Sequence, residues 1–185
     1  YVQVTRGVGM RNHAYSGAAT GPSICAFVRP CKMRDPYGAY PCITMEDTRF
    51  LHCNIKTINL LPAVIANQRA MEAGCEETIF HRGERVTECS HSNVHIIKDG
   101  VLKTAPCDNL ILPGITRAHI LDICARKGIP VIEDVSHAQG GLYKGKKLGT
   151  FGKVAAMSLT SSKSFAVGEM GMLVLRLAGG RPVLL

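Results

Sequence analysis

Tryptophan is missing from the 185 residues, and phenylalanine and tyrosine contribute only five each. So few aromatic side chains build no base-stacking platform, and the net charge of +8 has one dense basic cluster, "KGKK" at 144–147, rather than a stripe. Nucleic-acid binding needs one or the other, so no nucleic-acid partner is expected; a phosphate-bearing small molecule suits a moderately basic chain better. No apolar run reaches the roughly 18 to 20 residues of a membrane helix, and the N-terminus has no basic-then-apolar signal pattern. A cytoplasmic location with no membrane partner is the expectation. Any C-x-x-C pair is absent as well: Cys25, Cys31, Cys42, Cys53, Cys75, Cys89, Cys107 and Cys124 are spread along the chain. That spacing suggests neither a metal site nor a tight disulfide framework, and predicts reduced thiols, several of them buried. Internal repeats are missing too. What is present is 46% hydrophobic and 19% charged, an ordered globular chain with room for one domain, or one and a fragment.

Alternation predicts strands at "YVQVT" (1–5), "ICAFVRP" and "YPCIT", with a long Gly-rich loop over 7–23. "INLLPAVIANQRAMEAGC" (58–75) has helical periodicity ending near Gly74. An antiparallel run follows: "EETIFHR", the turn "GE", "RVTEC", "SNVHIIK", the turn "DG" and "VLKTA". "GITRAHILDICARKG" (114–128) is a short helix between two glycines, "IPVIE" a buried-type strand, and short strands recur at "VAAMSL" and "MLVLRL". The expected class is α/β, a mixed, hairpin-rich sheet with helices followed by a βαβ-like end.

Three features carry chemistry. Lys56, in "CNIKTINLLPAV" (53–64), stands where extended chain gives way to helix among Ile55, Ile58, Leu60 and Leu61; the ordinary alternative is a solvated lysine. In "ILPGITR" (111–117), Gly114 lets the chain turn into a helix whose first amides, on Ile115 and Thr116, can hold a phosphate; the ordinary alternative is capping. In "RVTECSHSN" (85–93), Glu88 ends a strand and is followed by Ser90 and Ser92; a carboxylate there can keep a ring nitrogen protonated, though surface hairpins carry such residues routinely. Together, an amine, an anion and a set of amides are the three parts that hold pyridoxal phosphate.

"IKTINLL", "VTECSHSNV", "KDGVLKTA" and "LILPGITR" resemble the class IV aminotransferases, and "VTRGVGMRNHAY" is similar to their D-amino acid transaminase branch. The resemblance runs from Tyr1 to about Pro130. It implies that Lys56 is the catalytic Schiff-base lysine, that Glu88 partners the pyridinium nitrogen, that Leu112 lies under the ring, that the Ile115 and Thr116 amides hold phosphate and that Ser90 is a phosphate-side neighbour. Arg11 and His13 match a pair that traps the substrate carboxylate across a dimer interface, so a homodimer acting on an amino acid and a 2-oxo acid is implied. The chain departs from the family at Cys89, where glycine is common, at His91, in place of a serine-type residue, and at His95, in place of Phe or Tyr. The family's small N-terminal domain, with its phosphate-binding arginine and active-site tyrosine, is expected to be absent ahead of Tyr1.

From about residue 131 to 185 the chain is similar to a different family, the DegT-type sugar aminotransferases of fold-type I, through "VIEDVSHAQGGLYKGKKLGTFGKVAAMSLTSSKSFAVGEMGML". That resemblance implies a second set: Asp134 on the pyridinium nitrogen, His137 near the phenolic oxygen, Ser158 on phosphate and Lys163 as Schiff-base lysine, with Met170 where a glycine is usual. The expected organisation is a partial class IV domain over 1–130 joined near "ARKGIPVIE" to a fold-type I fragment over 131–185. Each part should lack strands to pack against, and the local signals conflict across the join. The expected function is pyridoxal-phosphate-dependent transamination of D-amino acids at Lys56, impaired by truncation. The rivals are a sugar aminotransferase using Lys163, a non-catalytic chimeric fragment, and binding driven by the +8 charge alone.

Overall fold

A computed structural model describes residues 1–10, 13, 21–135, 140, 142–143, 145–150, 152–159, 171–176 and 182–184. The chain forms two compact units, Tyr1–Ala39 and Tyr40–Leu185. The first is a two-stranded antiparallel ribbon of β1 (Val2–Thr5) and β2 (Ser23–Ala26), with Val2 facing Ala26. Tyr1 stacks on Phe27 at its open end.

The second unit opens with β3 (Cys42–Glu46) and β4 (Glu77–Arg82) in parallel, and β5 (Arg85–Cys89) antiparallel to β4. Helix α1 (Leu61–Glu72) is the crossover between β3 and β4. Pro62 near its start fits the missing donor of a helix's first turn, so Ile58 to Leu60, expected to be helical, precede the helix. α1 lays Ala63, Ala66 and Ala70 against the sheet, and Thr78 Oγ1 donates to Ala66 O at 2.8 Å. Its bulkier Leu61, Val64, Ile65 and Met71 stay exposed.

The antiparallel run expected from β4 onward does not stay in one sheet. After Ser90 the backbone leaves β4, and β6 (His95–Lys98) and β7 (Val101–Thr104) form a separate hairpin, closed by Asp99 and Gly100 at φ 53° and 73°. Two positive φ values at the central positions are what a tight hairpin turn requires. The break falls at residues 90–94: the Ser90 amide still reaches Thr78 O at 3.0 Å, and the Cys89 amide bonds to Ser92 O at 2.8 Å as the chain turns.

Helix α2 (Ile115–Arg126) then carries the chain to β8 (Val131–Asp134), which pairs in parallel with β7. β8 pairs in parallel on its other edge with β11 (Val154–Ser158), and β12 (Gly171–Arg176) and β13 (Pro182–Leu184) complete a six-stranded sheet in the order β13-β12-β11-β8-β7-β6. The short strands β9 (Leu142–Tyr143) and β10 (Lys146–Lys147) pair with each other in a two-stranded ribbon. A join of two families is expected near residue 130, yet one sheet runs through that point. The C-terminal segment thus has strands to pack against, contrary to expectation, because the β7-α2-β8 crossover sets β8 in parallel between β7 and β11. Packing crosses the same point: Leu102, Cys124 and Val131 form one cluster under Ile120 and Leu121, and Cys107 packs against a second cluster of Val135, Leu148, Ala155 and Val174. No helix among the described residues is long and apolar enough to cross a membrane.

Candidate active site

Asp47, just past β3, starts the site. Its buried carboxylate takes a bidentate pair from Arg49, Nε to Oδ1 and Nη2 to Oδ2 at 2.9 Å each, a bond from Thr87 Oγ1 at 3.0 Å and a longer one from Arg82 Nε at 3.3 Å. Burial alone would raise the Asp47 carboxyl, but the hydrogen bonds and charge of Arg49 outweigh it and hold it below its ordinary range. Arg49 lies over the Phe80 ring, 4.8 Å from its centroid, and its Nη1 donates to Glu88 Oε1 at 2.5 Å. Arg49 is lowered by burial and raised further by its two carboxylate partners, so it stays a cation.

Glu88, next to last in β5, is buried and its second oxygen has two partners: Oε2 accepts from Asn93 Nδ2 at 2.9 Å and from the Leu112 amide at 3.0 Å. Burial pushes its carboxyl above the ordinary range, against the pull of Arg49 and the Leu112 amide. Asn93 also donates to Leu112 O at 2.9 Å, so one amide side chain ties the strand after Glu88 to the segment that leads into α2. That closeness explains Gly114: a Cβ there would clash with Asn93 Oδ1. Gly114 is the N-cap of α2 and no side chain caps it.

Residues 90–92 form the neighbouring wall. Glu77 Oε1 accepts from the Thr78 amide at 2.8 Å, the Ser90 amide at 3.1 Å and Ser90 Oγ, while Oε2 accepts from Ser92 Oγ at 3.1 Å. These bonds hold residues 90–92 against the first residues of β4, which the Ser90 amide also reaches through Thr78 O at 3.0 Å.

A cavity of about 920 Å³ lies among these elements. Lys56, Glu88, Ser90, Leu112, Ile115 and Thr116, the residues expected from sequence, all line it. Lys56 reaches it from the loop between β3 and α1, not from a strand-to-helix junction; that loop is fixed by the Asp47–Arg49 pair and by the Cys53 amide bonded to Asn109 O at 2.8 Å. The three departures from the class IV pattern, Cys89, His91 and His95, line the same cavity. Burial pushes the Cys89 thiol up to about 11, which keeps it protonated and a poor nucleophile. Burial, then the charge of Arg117, pushes His95 down, so its neutral form is favoured.

His13 is exposed in the first unit, and its companion Arg11 lies outside the described residues, as do His137, Lys163 and Met170. Of Asp134 only the strand backbone is described. Ser158, half-buried, ends β11 opposite Gly171. No group of His, Cys, Asp and Glu among the described residues could hold a metal ion. Sequence reasoning missed Arg49, Asn93, Asp47 and Glu77. "EDTR" at 46–49 offered an acid and a base beside a strand, but nothing local shows that Arg49 meets a glutamate thirty-nine positions away.

The model of the amino-transferase class IV family matches residues 1–140, and that of the DegT/DnrJ/EryC1/StrS aminotransferase family matches residues 117–177, so both fit the stretch around α2 and β8. A D-alanine aminotransferase of Listeria monocytogenes is 48% identical over 140 residues, which is 72% of this chain and 47% of that protein. A D-alanine aminotransferase of Staphylococcus aureus is 43% identical over 138 residues, 72% of this chain and 48% of that one. The chain thus spans about half the length of the curated relatives it matches. Among solved structures, a Legionella pneumophila protein assigned as a 4-amino-4-deoxychorismate lyase superposes with a TM-score of 0.57 at 23% identity, over 71% of this chain and 49% of its own. The branched-chain amino acid aminotransferase of Thermobaculum terrenum in its PLP-bound holo form gives 0.54 at 25% identity, over 66% and 43%.

Proposed function

This chain belongs to the amino-transferase class IV family, and on that premise we propose that its cavity takes pyridoxal 5'-phosphate and supports transamination of D-amino acids to 2-oxo acids, with Lys56 as the covalent anchor. One observation carries this: Lys56, Glu88, Ser90, Leu112, Ile115 and Thr116, drawn from a loop, a strand end, a bend and a helix start, converge on a single cavity.

The residues fit the group. A carboxylate offers about four lone-pair sites, and Glu88 has given three of them to Arg49, Asn93 and the Leu112 amide. One site on Oε1 remains for a ring N–H. The first amides of α2 have no capping side chain, and such amides with the helix dipole favour a phosphoryl group. When bound, the cofactor supplies an electron sink for the substrate's α-carbon. Glu88, with Arg49 opposing the effect of its burial, holds the proton at the ring nitrogen. Lys56 would hold the cofactor through its Nζ and would move the proton at the substrate's α-carbon. Capture of the substrate carboxylate by Arg11 and His13 rests on the class IV resemblance.

The test adds pyridoxal phosphate, reduces with borohydride and maps the labelled peptide, alongside a D-alanine plus 2-oxoglutarate assay. Label on Lys56 is expected. The match over residues 117–177 favours one second reading, a keto-sugar aminotransferase using Lys163, and label there would move the site to it. No stoichiometric label on either lysine would mean that the chain assembles no cofactor site.

A further inference from the structure

Asp47 has no part in the chemistry above, yet it grips the residue that opposes Glu88. Its side chain is 0% exposed, against 12% for Arg49 and 7% for Glu88. Five donors converge on it. Oδ1 accepts from the Arg49 amide at 3.1 Å and from Arg49 Nε at 2.9 Å. Oδ2 accepts from Arg49 Nη2 at 2.9 Å, Thr87 Oγ1 at 3.0 Å and Arg82 Nε at 3.3 Å. A carboxylate has about four lone-pair sites, so Asp47 is saturated. Glu88, with three donors, is not.

The two carboxylates divide one guanidinium, whose five N–H donors lie in a fixed plane. Asp47 holds its Nε–Nη2 edge, Leu110 O takes a further bond from Nη2 at 3.2 Å, and Nη1 is left for Glu88. Arg82 Nη2 holds the Arg49 backbone, donating to its carbonyl at 2.7 Å. Released by Asp47, Arg49 could offer Glu88 its Nη1–Nη2 edge, the fork that pairs with both oxygens of a carboxylate. That pairing would fill the open site on Oε1. The charge would change as well, because Asp47 balances the cation that pulls on Glu88. Of the other groups facing this cluster, Arg82 is a cation paired with Asp47, and the Cys53 thiol, pushed up by burial, is neutral.

We propose that Asp47 is a positioning residue of this cavity: by holding the Nε–Nη2 edge of Arg49, it limits that guanidinium to one bond with Glu88 and keeps a Glu88 oxygen site open to the ring N–H of the bound ligand. The identity of that ring rests on the pyridoxal phosphate reading, whereas the division of Arg49 between two carboxylates does not.

The test compares the full chain with its Asp47→Asn variant, which keeps the side-chain shape but accepts at one atom only. Without cofactor, the Glu88 carboxyl carbon is followed by NMR against pH. Its midpoint is expected to fall in Asp47→Asn, since Arg49 then turns its fork and its charge on Glu88. An unchanged or raised midpoint, even beside a lowered melting temperature, would overturn the proposal. With pyridoxal phosphate isotope-labelled at the ring nitrogen, that nitrogen's signal should move towards the unprotonated position in Asp47→Asn. Affinity should fall about tenfold, as for one lost charge-assisted hydrogen bond. Label on Lys56 with an unmoved ring signal would leave the transaminase reading standing and remove Asp47 from it. No label on Lys56 beside a lowered Glu88 midpoint would remove the cofactor and leave the positioning role. If Asp47→Asn does not fold, the unsubstituted chain decides: an Arg49 held by two carboxylates gives separate Nη1 and Nη2 signals, and one averaged signal overturns the proposal.

Discussion

Two strands of the second unit each bury a glutamate to the same degree, Glu88 on β5 and Glu133 on β8, both 5% exposed. Their bonding differs. Glu88 has a cation, a side-chain amide and a backbone amide, lines the cavity and keeps one acceptor site open. Glu133 accepts from the amides of Gly149, at 2.9 Å, and Gly152, and so holds the turn before β11. Gly152 itself must be glycine, since a Cβ there would meet Val131 O at 2.6 Å. Burying a carboxylate is therefore no sign of a site. What separates the two is whether the bonds that offset desolvation are spent within the fold or leave capacity directed at a cavity.

The largest break in this comparison comes from Lys56→Ala, which should abolish borohydride label in the class IV half and lower transamination by ~10³-fold, in the range of a lost acid–base group, without moving the melting temperature; rate and melt together check it. Next is Arg49→Ala, which strands two carboxylates. Removing one partner of a buried pair costs about 3–5 kcal/mol, and a denaturant melt should show a loss in that range together with loss of cofactor uptake. Glu133→Gln should cost about 1–3 kcal/mol, as expected for buried donors left without an acceptor, while cofactor affinity stays unchanged. If Glu133→Gln abolished cofactor uptake with the fold intact, the contrast between the two glutamates would fail.

Gly114→Ala forces Asn93 away from α2 and should cost roughly 1–3 kcal/mol, as overpacking does, read as weaker cofactor binding alongside a lower melting temperature. The smallest effect is the pH response. Asp47 is lowered in the fold, so its contribution is present above its ordinary 3.8 and is lost as pH falls through the lowered value. Glu88 is raised, so its contribution is present below its ordinary 4.5 and is lost as pH rises through the raised value. Melts from pH 3 to 6 should therefore show an acid loss that Asp47→Asn removes, and a small opposite trend above pH 4.5 that Glu88→Gln removes.

Much of this was legible in sequence because it is local. Alternation placed β4, β5, β7 and β12, and "DG" placed the turn at Asp99 and Gly100. The glycine-led start of α2 was visible because Gly114 and the amides of Ile115 and Thr116 are neighbours in the chain. The sheet break at 90–94 was not visible, since a strand pattern persists through "SNVHIIK" while Glu77 of β4 holds Ser90 and Ser92 and the Cys89 amide turns to Ser92 O. The pairing of β8 with β7 was equally hidden: a join of two families is expected there, but a parallel edge accepts any strand that follows a helix of suitable length and apolar face.

The sequence by itself determined the class of chemistry, because an amine, an acid and a helix N-terminus are set by residue type and short-range order. Tertiary structure alone decided that Arg49 guards Glu88, that Asn93 requires Gly114, that His91 stands on Glu77, and that strands from both sides of residue 130 share one sheet. These depend on meetings between residues far apart in the chain, where burial removes water and leaves each polar group dependent on whichever partner the fold brings to it.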